Sequence, residues 1–329
     1  MREIRLGTIG SGVIVRSILD GVQRTEGISL EAVYSRTEEK GRALAESYGA
    51  HKVYTDIDAL LADSAVDTVY IASPNVLHYE QTKKALLAGK HVVCEKPFCT
   101  RADQVRELTA LARERRLFLI EAVPTTFLPN YPPLRESLTK IGRVKLVLGN
   151  YTQYSARYDR LMAGEVPNVF NPDFAGGCLM DINYYNVYLT IALFGRPESA
   201  VYCPNLFANG VDTSGVVHMS YPGFQATLAA AKDARGVSFF QIEGDQGFIQ
   251  IKNGSNGLEE LRVVTQDGEE VINHQPDPDR WFYEVRAVAG LIRSGDCETS
   301  YGQLDITMAV VETVERIRKA AGLRFPGDK

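Results

Sequence analysis

A lysine in the first third of the chain directly follows an apolar run that is typical of a buried strand. Lys96 comes after residues 91–94 and stands between Glu95 and Pro97. An ammonium group at the carboxyl end of a strand can hold a reacting oxygen, and its charge stabilises a developing alkoxide. Lys96 is therefore a candidate for chemistry on an alcohol or a carbonyl. The alternative is an ordinary surface lysine at a strand end.

A second set of chemically capable side chains lies near the middle of the chain. Asp181 and Tyr185 follow the pair Gly176-Gly177 and are four residues apart, so both project from one face of a predicted helix. A carboxylate can tune a lysine that it faces and can bind substrate hydroxyls. A phenol can donate or accept a proton when a cation lowers its pKa. The alternative is a capping Asp181 and a Tyr185 in the core.

The start of the chain has the pattern of a phosphate-binding loop between a strand and a helix. Its residues are Gly10, Ser11, Gly12, Val13 and Ile14. The first glycine permits a tight turn, the second lets the backbone approach a pyrophosphate, and the helix N-terminus offers free N–H groups. Val15 stands where a third small residue is usual, which implies slightly wider helix–strand packing. The loop predicts a dinucleotide cofactor, and an ordinary strand–helix turn is the alternative.

Two further segments belong to the predicted cofactor site. Ser35-Arg36 follows the second predicted strand, where NAD-selective folds usually carry an acidic residue. A hydroxyl and a guanidinium suit the 2′-phosphate of NADP, so NADP is the favoured cofactor and NAD the alternative. Ser73-Pro74-Asn75, followed by His78, comes after another predicted strand, with Asn75 placed to cap the next helix.

The elements that must position these residues show a change of pattern at residue 122. Strands are predicted at 4–9, 30–34, 68–72, 91–94 and 117–122, and helices at 13–22, 38–48, 76–88 and 102–115. This alternation predicts a Rossmann-type, doubly wound parallel sheet of the α/β class, with the candidate loops at the carboxyl ends of its strands.

The rest of the chain reads as an α+β domain. Strands are predicted at 143–154, 200–207, 215–221, 225–230, 237–242, 248–251 and 261–264, and helices at 179–194, 281–293 and 303–320. Consecutive strands with short turns predict a large, mostly antiparallel open sheet. We therefore expect an NAD(P)-binding domain at 1–122 and a substrate-binding and oligomerisation domain at 123–329, with the last helix packing back on the first domain. An uncovered sheet face needs burial, so a homodimer or homotetramer through this sheet is expected.

Composition and charge argue against several classes of protein. The net charge is −5, from 36 basic and 41 acidic residues, and no basic cluster stands out, so nucleic acid is not an expected partner. No stretch approaches the roughly 18 apolar residues that span a bilayer, and no signal segment is evident, so no membrane association is expected. Five dispersed cysteines favour reduced thiols in a cytoplasmic protein, and their spacing with histidines fits no zinc pattern, so no metal is expected.

These motifs together resemble the Gfo/Idh/MocA oxidoreductase family. The resemblance rests on Glu95-Lys96-Pro97, the Pro74-Asn75…His78 turn and the opening glycine loop, and it spans the whole chain. Residues 176–185 resemble the family's G-G-x-x-x-D-x-G-x-[H/Y] signature, with Asn183 where glycine is usual. Tyr185 stands where the inositol dehydrogenase branch has histidine. The chain thus resembles the dihydrodiol dehydrogenase, glucose–fructose oxidoreductase and anhydrofructose reductase branches.

The resemblance implies an activity and a role for each motif. The implied reaction is hydride transfer between nicotinamide C4 and an alcohol or carbonyl of a sugar, polyol or related small molecule. Lys96 is implied to be catalytic, and Glu95, Lys96 and Pro97 are implied to bind the cofactor, with Glu95 in contact with the nicotinamide ribose. The Lys96–Pro97 bond is implied to be cis. Tyr185 would handle the proton and Asp181 would orient substrate and Lys96, although either Lys96 or Tyr185 could be the proton donor. The alternatives are a sensor that binds NAD(P) without turnover and an oxidoreductase that retains its cofactor.

Several polar residues before Gly176 are further candidates for contacts with sugar hydroxyls. They lie in a stretch predicted to be irregular, where polar residues are more often solvated than catalytic: Tyr154, Arg157, Tyr158, Arg160 and Asn168.

Overall fold

The computed structural model describes residues 3–328, and these form two compact units. The first unit comprises the chain up to Val123 together with Asp279–Met308. The second unit comprises Pro124–Pro278 together with the chain from Ala309.

A six-stranded parallel sheet forms the centre of the first unit. Its strands are β1 (Ile4–Ile9), β2 (Ile28–Tyr34), β3 (Lys52–Tyr54), β4 (Thr68–Ile71), β5 (His91–Glu95) and β6 (Leu119–Ala122). The strand order is β3-β2-β1-β4-β5-β6, so the direction of strand addition reverses between β1 and β4. Ligands bind at such a switch point, outside the carboxyl ends of the strands. The predicted Rossmann-type sheet is confirmed.

Five helices connect these strands. They are α1 (Val13–Gln23), α2 (Glu38–Tyr48), α3 (Ile57–Ala62), α4 (His78–Leu87) and α5 (Ala102–Arg115). β4 and β6 are buried along their whole length, as strands with helices on both faces should be. β3 and α3 were not predicted. β3 has three residues and α3 has six, which are too few to show a hydrophobic period.

An eight-stranded sheet forms the centre of the second unit. Its strands are β7 (Val144–Thr152), β8 (Ser199–Leu206), β9 (Asp212–Tyr221), β10 (Phe224–Ala231), β11 (Phe239–Gly244), β12 (Gly247–Lys252), β13 (Leu261–Thr265) and β14 (Gly268–Ile272). The strand order is β14-β13-β12-β11-β7-β10-β9-β8. Only β7 and β10 among these neighbours pair in parallel, so the predicted, mostly antiparallel sheet is confirmed for the described residues.

Three helices of the second unit lie between Pro124 and β8. They are α6 (Tyr131–Ser137), α7 (Ala156–Met162) and α8 (Tyr184–Phe194). α7 lies in the stretch predicted to be irregular, and Ser155 caps it by accepting a hydrogen bond from the Arg157 N–H (3.3 Å). The prediction of one helix at 179–194 was incomplete, because Leu179–Asn183 is π-helical and only the following residues form α8.

Two side-chain amides fix this π-helical segment on the sheet. Asn183 is fully buried, and its Nδ2 donates to the Leu228 carbonyl of β10 (3.0 Å). Asn186 Nδ2 donates to the Ala229 carbonyl (3.1 Å) and to Asn183 Oδ1 (2.9 Å). Glycine at position 183 could make neither side-chain contact, which explains why asparagine serves here.

The last two helices are α9 (Arg280–Ser294) and α10 (Cys297–Ala320). Residues 279–308, which the sequence assigned to the second domain, belong to the first unit. α9 packs against α1 at Gly21, where an added Cβ would lie 3.1 Å from Val285 Cγ2 and 3.3 Å from the Trp281 carbonyl oxygen. The sequence predicted a helix at 281–293 but could not indicate which elements this helix packs against. From Ala309 onward α10 belongs to the second unit.

The five cysteines are free, and three of them, Cys94, Cys99 and Cys178, are buried. Cys203 is exposed on β8, and Cys297 is half-buried. Within residues 3–328, no helix is long and apolar enough to cross a membrane. In the same part of the chain, no group of three or more His, Cys, Asp or Glu side chains is arranged to hold a metal ion.

Candidate functional site

The two glycines of the loop after β1 differ in whether the fold itself requires glycine at their position. Gly10 has φ 123°, and an added Cβ would lie 2.7 Å from the Ala72 carbonyl oxygen, so the turn itself requires glycine. Gly12 precedes α1 with φ −79°, and nothing lies within 4 Å of a Cβ built there. The fold therefore does not require glycine at position 12. The first turn of α1, where Val13 is exposed, carries N–H groups that lack intrahelical partners and can bind an anion.

The end of β2 lies beside this loop. Ser35 is buried, and its Oγ lies 3.4 Å from Ser11 Oγ. Arg36 follows and is exposed. The structure thus brings together the two segments that the sequence assigned to pyrophosphate and to the 2′-phosphate. An exposed guanidinium can bind a phosphate through two parallel hydrogen bonds.

The turn after β4 differs from its prediction in one detail. Asn75 was predicted to cap the next helix, but it begins a short 3₁₀ turn in which the Leu77 N–H donates to the Pro74 carbonyl (2.9 Å). Leu77, and not Asn75, therefore precedes α4, and it makes no side-chain cap. Ser73 Oγ donates to Gln81 Oε1 (2.6 Å), which ties the turn to α4.

His78 is buried between two loops. Its Nδ1 lies 2.9 Å from the Pro97 carbonyl oxygen, and its Nε2 lies 2.9 Å from the Ser73 carbonyl oxygen. Burial lowers the pKa of His78, against the opposing effect of these two contacts. The ring therefore joins the loop after β4 to the loop after β5, and its contacts are to this chain's own backbone.

A buried glutamate holds the loop after β5 from the other side. Glu121 Oε1 accepts a hydrogen bond from the Phe98 N–H (3.0 Å), and its Oε2 accepts one from Thr307 Oγ1 (2.7 Å). Sequence reasoning missed Glu121, although an acidic residue inside the apolar run of β6 was a readable signal.

Lys96 lies in this loop and is half-buried. The Lys96–Pro97 peptide bond is cis, as predicted. Glu95 precedes it at the end of β5 and is buried, and the Tyr70 hydroxyl of β4 donates a hydrogen bond to its carboxylate. Burial raises the pKa of Glu95 to about 7, against the opposing effects of the Tyr70 hydrogen bond and the Lys96 charge. The lysine thus stands next to an acid that can carry a proton near neutral pH.

A third buried acid of the first unit, Glu284 on α9, was also not predicted. It is 2% exposed, and neither carboxylate oxygen has a hydrogen-bond partner among the described residues. Burial, followed by the Glu95 charge, raises the pKa of Glu284 well above its usual range, and the Arg280 charge opposes this rise. Glu284 and Tyr70 line the same small, mainly apolar cavity. A glutamate on the apolar face of α9, next to Val285, was the available signal.

In the second unit, Asp181 lies in the π-helical segment and forms an ion pair with Lys232. The Asp181 side chain is 31% exposed, whereas that of Lys232 is 7% exposed. The Lys232 ammonium also lies 5.5 Å from the centre of the Phe170 ring. Lys232 was not predicted, because a lysine that ends a strand usually lies in solvent.

The glycine pair before Asp181 is required by packing within the second unit. An added Cβ on Gly176 would lie 2.6 Å from the Asn168 carbonyl oxygen. Gly177 has φ 124°, and an added Cβ would overlap Asp212 Oδ1. Asp212 is buried, and its Oδ2 accepts hydrogen bonds from the Leu179 N–H (2.6 Å) and the Tyr202 hydroxyl (2.6 Å). These contacts explain the glycines without reference to a ligand.

Tyr185, to which the sequence analysis assigned proton transfer, lies in the first turn of α8. It is 6% exposed, and its ring centre lies 6.0 Å from that of Tyr151 on β7. The Tyr151 hydroxyl accepts a hydrogen bond from Asn256 Nδ2 and donates one to Gln153 Oε1 (3.3 Å). Tyr185 therefore lies in a polar aromatic cluster that sequence reasoning did not foresee.

The remaining candidates make local contacts around α7. The Tyr154 hydroxyl donates to Asp159 Oδ1 (2.6 Å), and Arg160 forms an ion pair with Glu165. Tyr158 packs edge-on against Phe170, with ring centres 5.9 Å apart. Arg157 contributes its N–H to the cap of α7, and Asn168 presents its carbonyl oxygen to Gly176.

Comparison with known proteins places both halves of the chain in one family. Residues 4–122 match the oxidoreductase family with an NAD-binding Rossmann fold, and residues 138–250 match the GFO/IDH/MocA C-terminal domain. The chain is 35% identical over 328 residues to the scyllo-inositol 2-dehydrogenase (NADP(+)) of Bacillus subtilis, with 99% of each covered. It is 29% identical over 338 residues to the trans-1,2-dihydrobenzene-1,2-diol dehydrogenase of Homo sapiens, again with 99% of each covered.

A solved structure supports the same grouping. The 3-ketoreductase of Actinomadura kijaniata, in complex with NADP and TDP-benzene, superposes with a TM-score of 0.84 at 25% identity, covering 98% of this chain and 99% of that one. The chain belongs to the Gfo/Idh/MocA family of NAD(P)-binding oxidoreductases.

Proposed function

We propose that this oxidoreductase uses NADP and transfers hydride between nicotinamide C4 and a secondary alcohol or carbonyl carbon of a cyclic polyol or sugar. The observation that carries the proposal is the loop after β1. There the fold requires glycine at position 10 but leaves position 12 open, beside the unpartnered N–H groups of α1. A glycine that serves no packing role at a helix N-terminus is what a bound pyrophosphate needs.

The choice of NADP rests on the end of β2. Arg36 is exposed, so its guanidinium is available for a 2′-phosphate, and the buried Ser35 before it lies beside the glycine loop. The named relatives include an NADP(+) enzyme, which supports the same choice.

The substrate class rests on the relatives and on the polar groups of the second unit. The relatives named above act on an inositol and on a dihydrodiol, which are both cyclic compounds with hydroxyls on adjacent carbons. Asp181 is partly exposed and can accept hydrogen bonds from such hydroxyls.

We assign the chemistry to three side chains. The nicotinamide, when bound, supplies or receives the hydride. Lys96 holds the reacting oxygen and stabilises its negative charge. Tyr185 exchanges the proton, and Asp181 orients the substrate. Glu95, His78 and Glu121 keep the loop of Lys96 in place.

The first experiment is a titration of the purified protein with NADPH and with NADH, followed by absorbance at the nicotinamide band on addition of inositols, sugars and cyclic diols or ketones. We expect tight NADPH binding and turnover of at least one cyclic polyol or its ketone. Lys96→Met should abolish turnover and keep NADPH binding, whereas Lys40→Met, at an exposed lysine of α2, should change neither. Binding without turnover across the panel would favour a sensor, and no binding of either nucleotide would overturn the proposal.

The NADP preference has its own test. Charge-assisted hydrogen bonds contribute about 1.5–3 kcal/mol, so Arg36→Ala should weaken NADPH binding about 10- to 100-fold and leave NADH binding unchanged. Arg42→Ala, which removes an exposed guanidinium paired with Glu38 on α2, is the matched control. Equal losses for both nucleotides would contradict the role of Arg36.

We further propose that the second sheet self-associates through its outer face to form a dimer or tetramer. The register places one row of half-buried or exposed residues across this face: Val201, His218, Thr227, Leu148, Gln241, Gln250 and Arg262. The opposite face is buried, as Leu228, Phe240 and Ile249 illustrate. Thr227→Arg should dissociate the oligomer in sedimentation velocity, whereas Leu87→Arg on α4 should not. A monomeric wild type would refute the proposal.

We also propose a reducing compartment such as the cytoplasm, because all five cysteines are free.

A further inference from the structure

Lys232 has a fixed backbone directly after β10. Its N–H donates to the Thr213 carbonyl (2.9 Å), and its own carbonyl accepts from the Ser155 N–H (2.9 Å) at the start of α7. These two hydrogen bonds set the point from which the lysine side chain extends. The lysine is thus built on a strand end that two neighbouring segments hold, and side chains held by such elements are positioned more accurately than those on free loops.

The Lys232 side chain is buried behind Asp181. The lysine residue is 5% exposed, and its ammonium pairs with Asp181 while lying over the Phe170 ring. A buried ammonium without a partner is strongly unfavourable, so the pairing with Asp181 is energetically required. Because 31% of the Asp181 side chain is exposed, the carboxylate can meet a substrate that the ammonium behind it cannot reach.

The other carboxylates near Lys232 have different donors. Asp212 accepts from the Tyr202 hydroxyl and the Leu179 N–H. Asp233 accepts from Thr213 Oγ1 (2.6 Å) and Ser214 Oγ (3.2 Å). Asp181 is the carboxylate to which the lysine ammonium itself donates. The pair therefore acts as a unit in which one partner is accessible and the other is hidden.

We propose that Lys232 is a positioning residue that holds the Asp181 carboxylate in one orientation, so that Asp181 accepts hydrogen bonds from substrate hydroxyls. This inference rests on the proposed function, in which Asp181 binds the substrate. Removal of the lysine takes away the charge-assisted hydrogen bond that orients the carboxylate, so its oxygens are presented less accurately to the substrate hydroxyls. Lys232 acts on substrate binding and not on cofactor binding, which we assign to the first unit.

The test is a double-mutant cycle in the full-length enzyme with NADPH and a turned-over polyol or ketone. Hydrogen bonds to charged groups predict that Lys232→Met raises KM for the substrate about 10- to 100-fold, with less effect on kcat and no change in NADPH affinity. Lys232→Arg should recover most of the loss, because a guanidinium can pair with the same carboxylate. Lys252→Met, at an exposed lysine of β12, is the matched control.

The cycle separates a positioning role from a general structural one. In an Asp181→Asn background, Lys232→Met should leave KM unchanged, because its effect passes through the carboxylate. The same substitution should raise the melting temperature of Asp181→Asn, since it removes a buried and unpaired charge. An unchanged KM in the single variant, or an equal rise in both backgrounds, would overturn the inference while leaving the proposed function intact. A wild type that binds NADPH but turns over no member of the panel would overturn both.

Discussion

Replacement of Glu95 by glutamine removes a buried ionisable group and keeps its hydrogen bond. The amide oxygen of glutamine can still accept from the Tyr70 hydroxyl, so the shape and the contact at the end of β5 are retained. What changes is the proton balance of folding. Burial raises the pKa of Glu95 from 4.5 to about 7 in the folded chain.

The sign and size of the effect follow from this difference. Below pH 4.5 the carboxyl is protonated in both the folded and the unfolded chain and contributes no pH dependence. Between pH 4.5 and 7 only the folded chain keeps the proton, so the free energy of unfolding falls as the pH rises. The pKa difference of about 2.5 units corresponds to about 3 kcal/mol in the free energy of unfolding, at 1.36 kcal/mol per unit. About 2.5 kcal/mol of this loss develops between pH 5 and pH 8.

The chain contains its own reporter for this experiment. Its single tryptophan, Trp281, lies on α9 in the first unit, so its fluorescence follows urea unfolding of the unit that holds Glu95. We expect Glu95→Gln to stabilise this unit by about 2.5 kcal/mol more at pH 8 than at pH 5. Glu114→Gln, at an exposed glutamate of α5, should give equal changes at both pH values. The reasoning is refuted if wild type and Glu95→Gln show the same pH dependence.

Two further predictions concern glycines. Gly10→Ala should lower the melting temperature, because a Cβ there meets the Ala72 carbonyl, whereas Gly12→Ala should lower it less, since only the N-cap preference of α1 is lost, yet weaken NADPH binding about tenfold or more. A similar loss of stability in both variants would contradict the assignment of position 12 to the cofactor. Gly177→Ala should destabilise the second unit by more than Gly164→Ala, since both have positive φ but only Gly177 faces an overlap with Asp212. Thermal unfolding followed by circular dichroism measures the stability of all four variants. Equal losses of stability in Gly177→Ala and Gly164→Ala would show that backbone strain alone accounts for the effect.

The sequence predicted the elements that have a readable period. The apolar runs of β1, β4 and β5 and the helices between them follow from short-range patterns, because strands covered on both faces are apolar along most of their length. The loops at their carboxyl ends follow from the topology of such sheets, so Gly10 and Lys96 could be placed at the ends of β1 and β5.

Pairings between distant segments could not be predicted in the same way. Asp181 and Lys232 are 51 positions apart, and nothing local to either indicates an ion pair between them. Glu284 packs in the first unit although the second sheet comes before it in the chain. The role of Asn183 likewise depends on a carbonyl of β10, which only the folded sheet brings to it.

The cysteines of this chain differ in burial, so their reactivity with alkylating reagents can report on the exposure of the protein surface. Burial raises the pKa of Cys94, Cys99 and Cys178, so these thiols form little thiolate and react slowly with alkylating reagents. Cys203 is exposed on β8, on the same side of the strand as Val201. Its alkylation rate in the native protein therefore indicates whether another subunit covers that side of the sheet, without any engineered label. Mass spectrometry of the modified peptide across a dilution series would then record whether this surface is covered at Cys203.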